Sequence, residues 1–182
     1  MVDLNTDLAH KHRLLRLLTA FLKSWHALQR QTFPTIAGIM VLDDLVGFMG
    51  ETDFLEFGRP YLRDLFAVNV AVKFFHNDAP CAASLPHYAD LGINLYNPGI
   101  QTALPELRRL SGGRLTILGN IPPRDVLAKG SPDDVRVAVK RLLEQTPDRS
   151  RLILSCAGGM PTGVSTENIR AFREAAQEHR LQ

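Results

Sequence analysis

Val72-Lys73-Phe74-Phe75-His76-Asn77-Asp78 is an apolar, strand-forming run that passes without a break into three residues able to bind protons or metals. Sheets and barrels of parallel strands carry their chemistry at the carboxyl ends of the strands. The stretch therefore reads as a buried strand with His76 and Asp78 at its functional end. The same layout recurs in both directions along the chain.

Upstream, Ile36 to Leu42 is a short branched apolar run ending at Asp43-Asp44, with Gly47 and Gly50 in the loop behind it. Thr52 and Asp53 open a helix extending to Val70, with a break or second start at Pro60. Downstream, a helix over residues 82–90 is stopped by Gly92, and Ile93 to Tyr96 forms a strand ending at Asn97-Pro98-Gly99. Leu104 to Leu110 is helical and closed by Gly112-Gly113; Arg114 to Leu118 is a strand ending at Gly119-Asn120. Ser131-Pro132-Asp133-Asp134 is the clearest helix start, with a capping hydroxyl, proline in the first turn and carboxylates at the positive helix end. That helix runs to Glu144. Arg151 to Ser155 is the last strand, ending at Cys156-Ala157-Gly158-Gly159, and Ser165 caps a helix reaching His179.

Before all of this, residues 7–31 place Leu14, Leu18, Phe21, Trp25 and Leu28 at three-and-four spacing, one face of a helix. Phe33-Pro34 ends it, because a residue before proline avoids the helical region. The order is a leading helix over residues 1–35, then about five strand-helix units over residues 36–182, all in one domain. Such alternation predicts an α/β fold with parallel strands and right-handed crossovers. A complete eight-unit (β/α) barrel takes about 250 residues and rarely fewer than about 200. The 182 residues suffice for an open five-stranded sheet or a partial barrel of the TIM type.

Composition narrows the class. Hydrophobic residues at 45% and charged residues at 22% are those of a soluble globular protein. A net charge of +2 without clustered Lys and Arg gives no nucleic-acid footprint. No apolar run approaches the roughly 20 residues of a membrane span. Two cysteines, Cys81 and Cys156, make no disulfide framework. With acidic Asp3 and Asp7 near the amino end and no leader pattern, a cytoplasmic protein is expected.

Several segments together resemble the carboxyl-terminal portion of the uroporphyrinogen decarboxylase superfamily, which comprises porphyrinogen decarboxylases and zinc-dependent, corrinoid-linked methyltransferases. Gly119-Asn120-Ile121-Pro122-Pro123, with Val126-Leu127 and Gly130 to Val135, resembles its Gly-Asn-x-x-Pro segment and the helix behind it. Ile153-Leu154-Ser155 with Gly158-Gly159, Glu167-Asn168-Ile169 and Ala171 resembles its closing strand and helix. Asp43-Asp44 to Gly47, with Phe54, Phe57, Pro60 and Tyr61, resembles its middle portion. The resemblance implies a barrel whose first three or so units are absent from this sequence.

It also implies two activities and separates them. The decarboxylases carry a serine where Asp44 stands and a histidine where Gly158 stands, and their arginine-rich loop falls in the absent units. Decarboxylation in porphyrin synthesis is the disfavoured alternative. The methyltransferase branch has a His-x-Cys pair at the strand end matching His76, plus a later cysteine. Here the pair reads His76-x-Asp78, and Cys156 is the late cysteine, offset by about two residues. The resemblance therefore implies zinc held by His76, Asp78 and Cys156, with a methyl-corrinoid as substrate or as the cofactor of a partner corrinoid protein. Three protein ligands leave the fourth zinc position open for a substrate thiol or hydroxyl.

Each candidate has a plainer reading. His76 can be structural at a barrel mouth, and Asp78 can cap the next helix. Asp43 and Asp44 point to opposite faces, and the matched position favours Asp44 as the mouth residue. Asn120 either binds ligand or ties loops, and Gly158-Gly159 either present amides to an anion or make a tight turn. Cys156 can be a small buried thiol, while Cys81 reads as inert. A third possibility is a non-catalytic fragment or split subunit. The open edge of a partial barrel predicts self-association or pairing with an amino-terminal half, besides a small-molecule substrate.

Overall fold

A computed structural model describes residues 7–179; Asp3 lies outside them. Five strands form one parallel sheet in the order β1-β2-β3-β4-β5: Gly38–Leu42, Val72–Asn77, Leu95–Pro98, Thr116–Leu118 and Leu152–Ile153. Neighbours in sequence are neighbours in space, the arrangement that short connections favour. Parallel order is what the strand-helix alternation predicts, and the sheet is consistent with the partial barrel that the family resemblance implies. β1, β4 and β5 are shorter than the stretches that mark them in the sequence, and the fifth is extended only by a bridge between Ile121 and Cys156.

The helices are α1 (Leu8–Thr32), α2 (Glu51–Asp53), α3 (Arg59–Phe66), α4 (Leu85–Tyr88), α5 (Leu104–Leu110), α6 (Pro132–Glu144) and α7 (Thr166–Glu178). Pro60 sits in the first turn of α3, and a π turn at Phe54–Gly58 joins α2 to it, so Pro60 begins a helix instead of breaking one. The helix expected over residues 82–90 is only α4 plus a 3-10 turn, Ala89–Leu91, ended by Gly92 at φ 88°. Two turns fell in stretches read as loops: a 3-10 turn at Leu45–Phe48 and a π turn at Pro123–Ala128. Ser131 and Asp134 form a reciprocal capping box at α6, and Ser165 accepts from the Asn168 amide at the start of α7.

Strand alternation divides the sheet into two faces. Val41, Phe75, Tyr96 and Ile117 lie beneath the helices, and Phe75, Tyr96 and Ile117 are fully buried there. Tyr88 of α4 packs edge-on against Phe75 and Tyr96, with ring centroids 4.9 and 5.3 Å apart. A second core beneath α6 and α7 gathers Ile121, Leu127, Val135, Val139, Cys156 and Ala171. The other sheet face carries Met40, Leu42, Phe74, His76 and Asn97, and no helix among the described residues covers it. Along α1 the apolar stripe from Leu14 to Leu28 also stays exposed, because α1 meets α3 through other positions: His12 reaches Tyr61, and Lys23 pairs with Asp64.

Candidate active site at the strand ends

Asn77 points away from its neighbours. Buried beneath α4, it donates to the Tyr88 hydroxyl at 3.3 Å and accepts from the Ala79 amide at 2.7 Å. Alternation then turns His76 and Asp78 to the uncovered face together. The Nε2 of His76 lies 3.6 Å from Oδ2 of Asp78, with the histidine side chain 14% exposed and the aspartate 49%.

Asn97 orients this histidine. It stands opposite His76 in the β2–β3 register and takes Nδ1 at 2.9 Å through its Oδ1. Its amide group donates to the backbone carbonyls of Leu118 and Cys156, so only the oxygen is left to face the imidazole. Nδ1 must therefore carry the proton, and a neutral His76 directs the lone pair of Nε2 at the Asp78 carboxylate. Lone pair against carboxylate is repulsive unless a cation, a proton or a metal, sits between them. Asn97 was not singled out in the sequence, although it too ends a strand; its value lies in register with His76, which one strand read alone does not reveal.

Asp44 belongs to the same group. Its Oδ1 accepts the Asp78 amide at 2.7 Å, tying the end of β1 to the end of β2. Asp43 turns the other way and accepts from the Leu45 amide, and burial raises its pKa above the ordinary carboxylate value. Gly158, at φ 59°, passes close over Asp78: a Cβ there would stand 2.6 Å from Oδ2. Gly158 thus makes room for the carboxylate. Gly159 has nothing within 4 Å of where its Cβ would stand. Asn120 spends its amide on the carbonyls of Gly99 and Thr102, so it ties the loop after β3.

Cys156 is buried, and its thiol donates to the Gly158 carbonyl at 3.6 Å. Burial pushes the thiol pKa up, and the Asp78 charge adds to that shift, so the sulfur stays protonated. Cys81 is likewise buried with a raised pKa and lies beneath the helices. Tetrahedral zinc with bonds of about 2.0–2.2 Å separates two ligand atoms by about 3.4 Å. The His76–Asp78 pair meets that spacing, but among the described residues no three His, Cys, Asp or Glu side chains are grouped to hold a metal. The donor set fits zinc in two positions out of three. Beside it, Asp78, Gly99, Arg124 and Ala157 help to line a cleft of about 410 Å³.

The family model for uroporphyrinogen decarboxylase (URO-D) matches residues 2–179. The chain belongs to the uroporphyrinogen decarboxylase family. Among curated relatives, uroporphyrinogen decarboxylase of Danio rerio is 27% identical over 187 residues, covering 94% of this chain and 47% of that protein. The enzymes of Chlorobium luteolum and Pelodictyon phaeoclathratiforme are 24% and 23% identical, with 48% and 42% of their lengths covered. This URO-D chain thus spans about half the length of the curated relatives it matches. A solved methyltransferase from Methanosarcina mazei shares the fold at TM-score 0.66 and 22% identity, over 79% of this chain and 42% of that one. Among the described residues no helix is long and apolar enough to cross a membrane.

Proposed function

We propose that this URO-D chain belongs to an enzyme of the methyl-transfer branch, with His76 and Asp78 as a cation-holding pair beside the substrate. The observation that carries the reading is the 3.6 Å gap between Nε2 and Oδ2, with Asn97 committing the other imidazole nitrogen. A histidine whose second nitrogen is fixed by a hydrogen bond is the usual form of a metal ligand. Zinc would be held by His76 and Asp78, with Cys156 as third donor once its thiol leaves the Gly158 carbonyl. When bound there, the metal would lower the pKa of a substrate thiol or hydroxyl and ready it to accept a methyl group. The chain's own contribution is orientation. Asn97 fixes the imidazole, Asp44 fixes the Asp78 backbone, and Gly158 leaves the carboxylate space to face inward. A methyl-corrinoid, free or on a partner corrinoid protein, is the methyl source proposed.

A second reading is decarboxylation of a porphyrinogen, favoured by the names of the curated relatives. In it the same pair holds a proton instead of a metal. Asp44 and Gly158, at positions where those enzymes resemble one another in serine and histidine, weigh against it. Incubation with methylcobalamin, zinc and a small thiol separates the two. Demethylated corrinoid forming with the wild-type chain and not with His76→Ala supports methyl transfer. Release of carbon dioxide from uroporphyrinogen, with no demethylation, overturns it.

A further inference from the structure

We propose that the groove between α5 and α6 is a further small-molecule site, one that takes a carboxylate with an apolar tail. The head group sits on Arg141, Gln145 and Thr146, and the tail lies along Leu104, Val137 and Ala138.

The groove has a volume of about 600 Å³, and ordinary ligand clefts span about 300–1,000 Å³. Its rim meets the cleft beside Asp78, since Ile100, Pro122 and Asp125 line both. From that rim it follows α6 away from the strand ends, because α6 carries the chain from the end of β4 back to the start of β5. Asp134 and Arg141, both lining it, stand two turns apart on α6, about 10 Å. The Arg141 end is thus separate from the His76–Asp78 pair. The walls between are apolar: Leu104 is buried, and Val137 is left 64% exposed.

The far end is rich in donors. Thr146 is 3% exposed, yet its hydroxyl has no hydrogen-bond partner among the described residues. Buried hydroxyls are nearly always paired, and one left unpaired is costly. Arg136 and Lys140 of α6 have carboxylate partners in Glu174 and Glu144. Arg141, in the last turn of the same helix, has none among the described residues. Gln145 adds a side-chain amide, and all three residues line the groove.

A guanidinium, a hydroxyl and an amide converging on one place match an anion, and a planar guanidinium suits a carboxylate. A phosphate, with its larger charge, would want more than one cation. Toward the rim the acidic residues are already engaged: Asp134 accepts from the Ser131 hydroxyl, and Asp125 pairs with Lys129 at 3.6 Å. They would repel a second negative charge, so the remainder of the ligand is apolar.

The probe is octanoate, with octylamine as its charge-reversed counterpart, each titrated into the full chain while amide shifts are followed by NMR. Octanoate should bind with a Kd of about 1 mM or tighter, the reach of about ten non-hydrogen atoms. It should shift the amides of Leu104, Ala138 and Thr146 and leave those of His76 and Asp78 in place. Octylamine should bind about tenfold more weakly or not at all. Arg141→Gln, at an exposed side chain, should weaken octanoate by about fivefold or more. Thr146→Val should weaken it about threefold, yet raise the unfolding midpoint of the free chain by about 2 °C by removing an unpaired hydroxyl. A purely structural hydroxyl would lower that midpoint. Ile169→Glu on α7 should leave binding unchanged. The proposal is overturned by no shift at about 10 mM octanoate (about ten times the expected Kd), by equal binding of octylamine, or by binding indifferent to Arg141→Gln. A lowered midpoint in Thr146→Val, or a homodimer that covers Val137 and excludes octanoate, overturns it as well.

Discussion

Replacing Asn97 with alanine tests the logic of the site most searchingly. The side chain is buried and makes three polar contacts: with His76 Nδ1 and with the carbonyls of Leu118 and Cys156. Alanine leaves all three partners without their mate. At about 1 kcal/mol net for each buried hydrogen bond, the loss is about 3 kcal/mol. With a urea dependence of about 2 kcal/mol per molar, the unfolding midpoint falls by about 1.5 M. A second readout is specific to the site. Nitrogen NMR of the wild-type imidazole should find the proton of neutral His76 on Nδ1, and Asn97→Ala should release that preference. Asn97→Asp keeps an acceptor for His76 and sets a carboxylate against two carbonyls, so it holds the tautomer while still losing stability. A midpoint shift below about 0.3 M, the scale of an ordinary surface substitution, with an unchanged tautomer in Asn97→Ala, refutes the reasoning.

Three further outcomes are expected. Gly158→Ala places a Cβ 2.6 Å from Asp78 Oδ2 at a φ of 59°, and thermal unfolding should register a loss of about 1–2 kcal/mol. Burial favours the protonated form of Asp43, so the native chain holds more proton than the unfolded one above the ordinary carboxylate value of 3.8. Stability contributed by this group therefore falls as pH rises from 3.8 through the raised native value. Asp43→Asn, which can keep the bond from the Leu45 amide, should stabilise the chain at pH 7 (about three units above an ordinary carboxylate pKa). That gain should vanish in acid, and unfolding curves across pH read it. Cys81 and Cys156 are buried with raised pKa values; a chromogenic disulfide reagent should label both cysteines only as the chain unfolds.

The fold was legible because apolar runs alternate with capped helical segments, and parallel order follows once strands and helices take turns. Ser131 with Asp134, and Gly92, mark element ends through chemistry local to a few residues. The π turns at Phe54–Gly58 and Pro123–Ala128 were not legible, because local composition carries no signal for a helix wound one residue wider. At the site, His76 and Asp78 could be paired from alternation within one strand. The roles of Asn97 and Gly158 depend on register across strands and on a loop arriving from β5, which are tertiary facts. Cys156 is implied as a metal donor only by the family resemblance; in the structure its buried thiol donates to the Gly158 carbonyl, a contact that sequence does not announce. The stripe on α1 is helical as expected, but helical period alone cannot say whether its cover comes from the same chain.

Zinc titration of the purified chain, followed by calorimetry and by metal analysis after dialysis, tests the central claim most directly. The His76–Asp78 pair should bind one zinc per chain, and His76→Ala and Asp78→Ala should each abolish that binding while leaving the circular dichroism spectrum unchanged. A chain that holds no zinc, or holds it equally well without His76, contradicts the account.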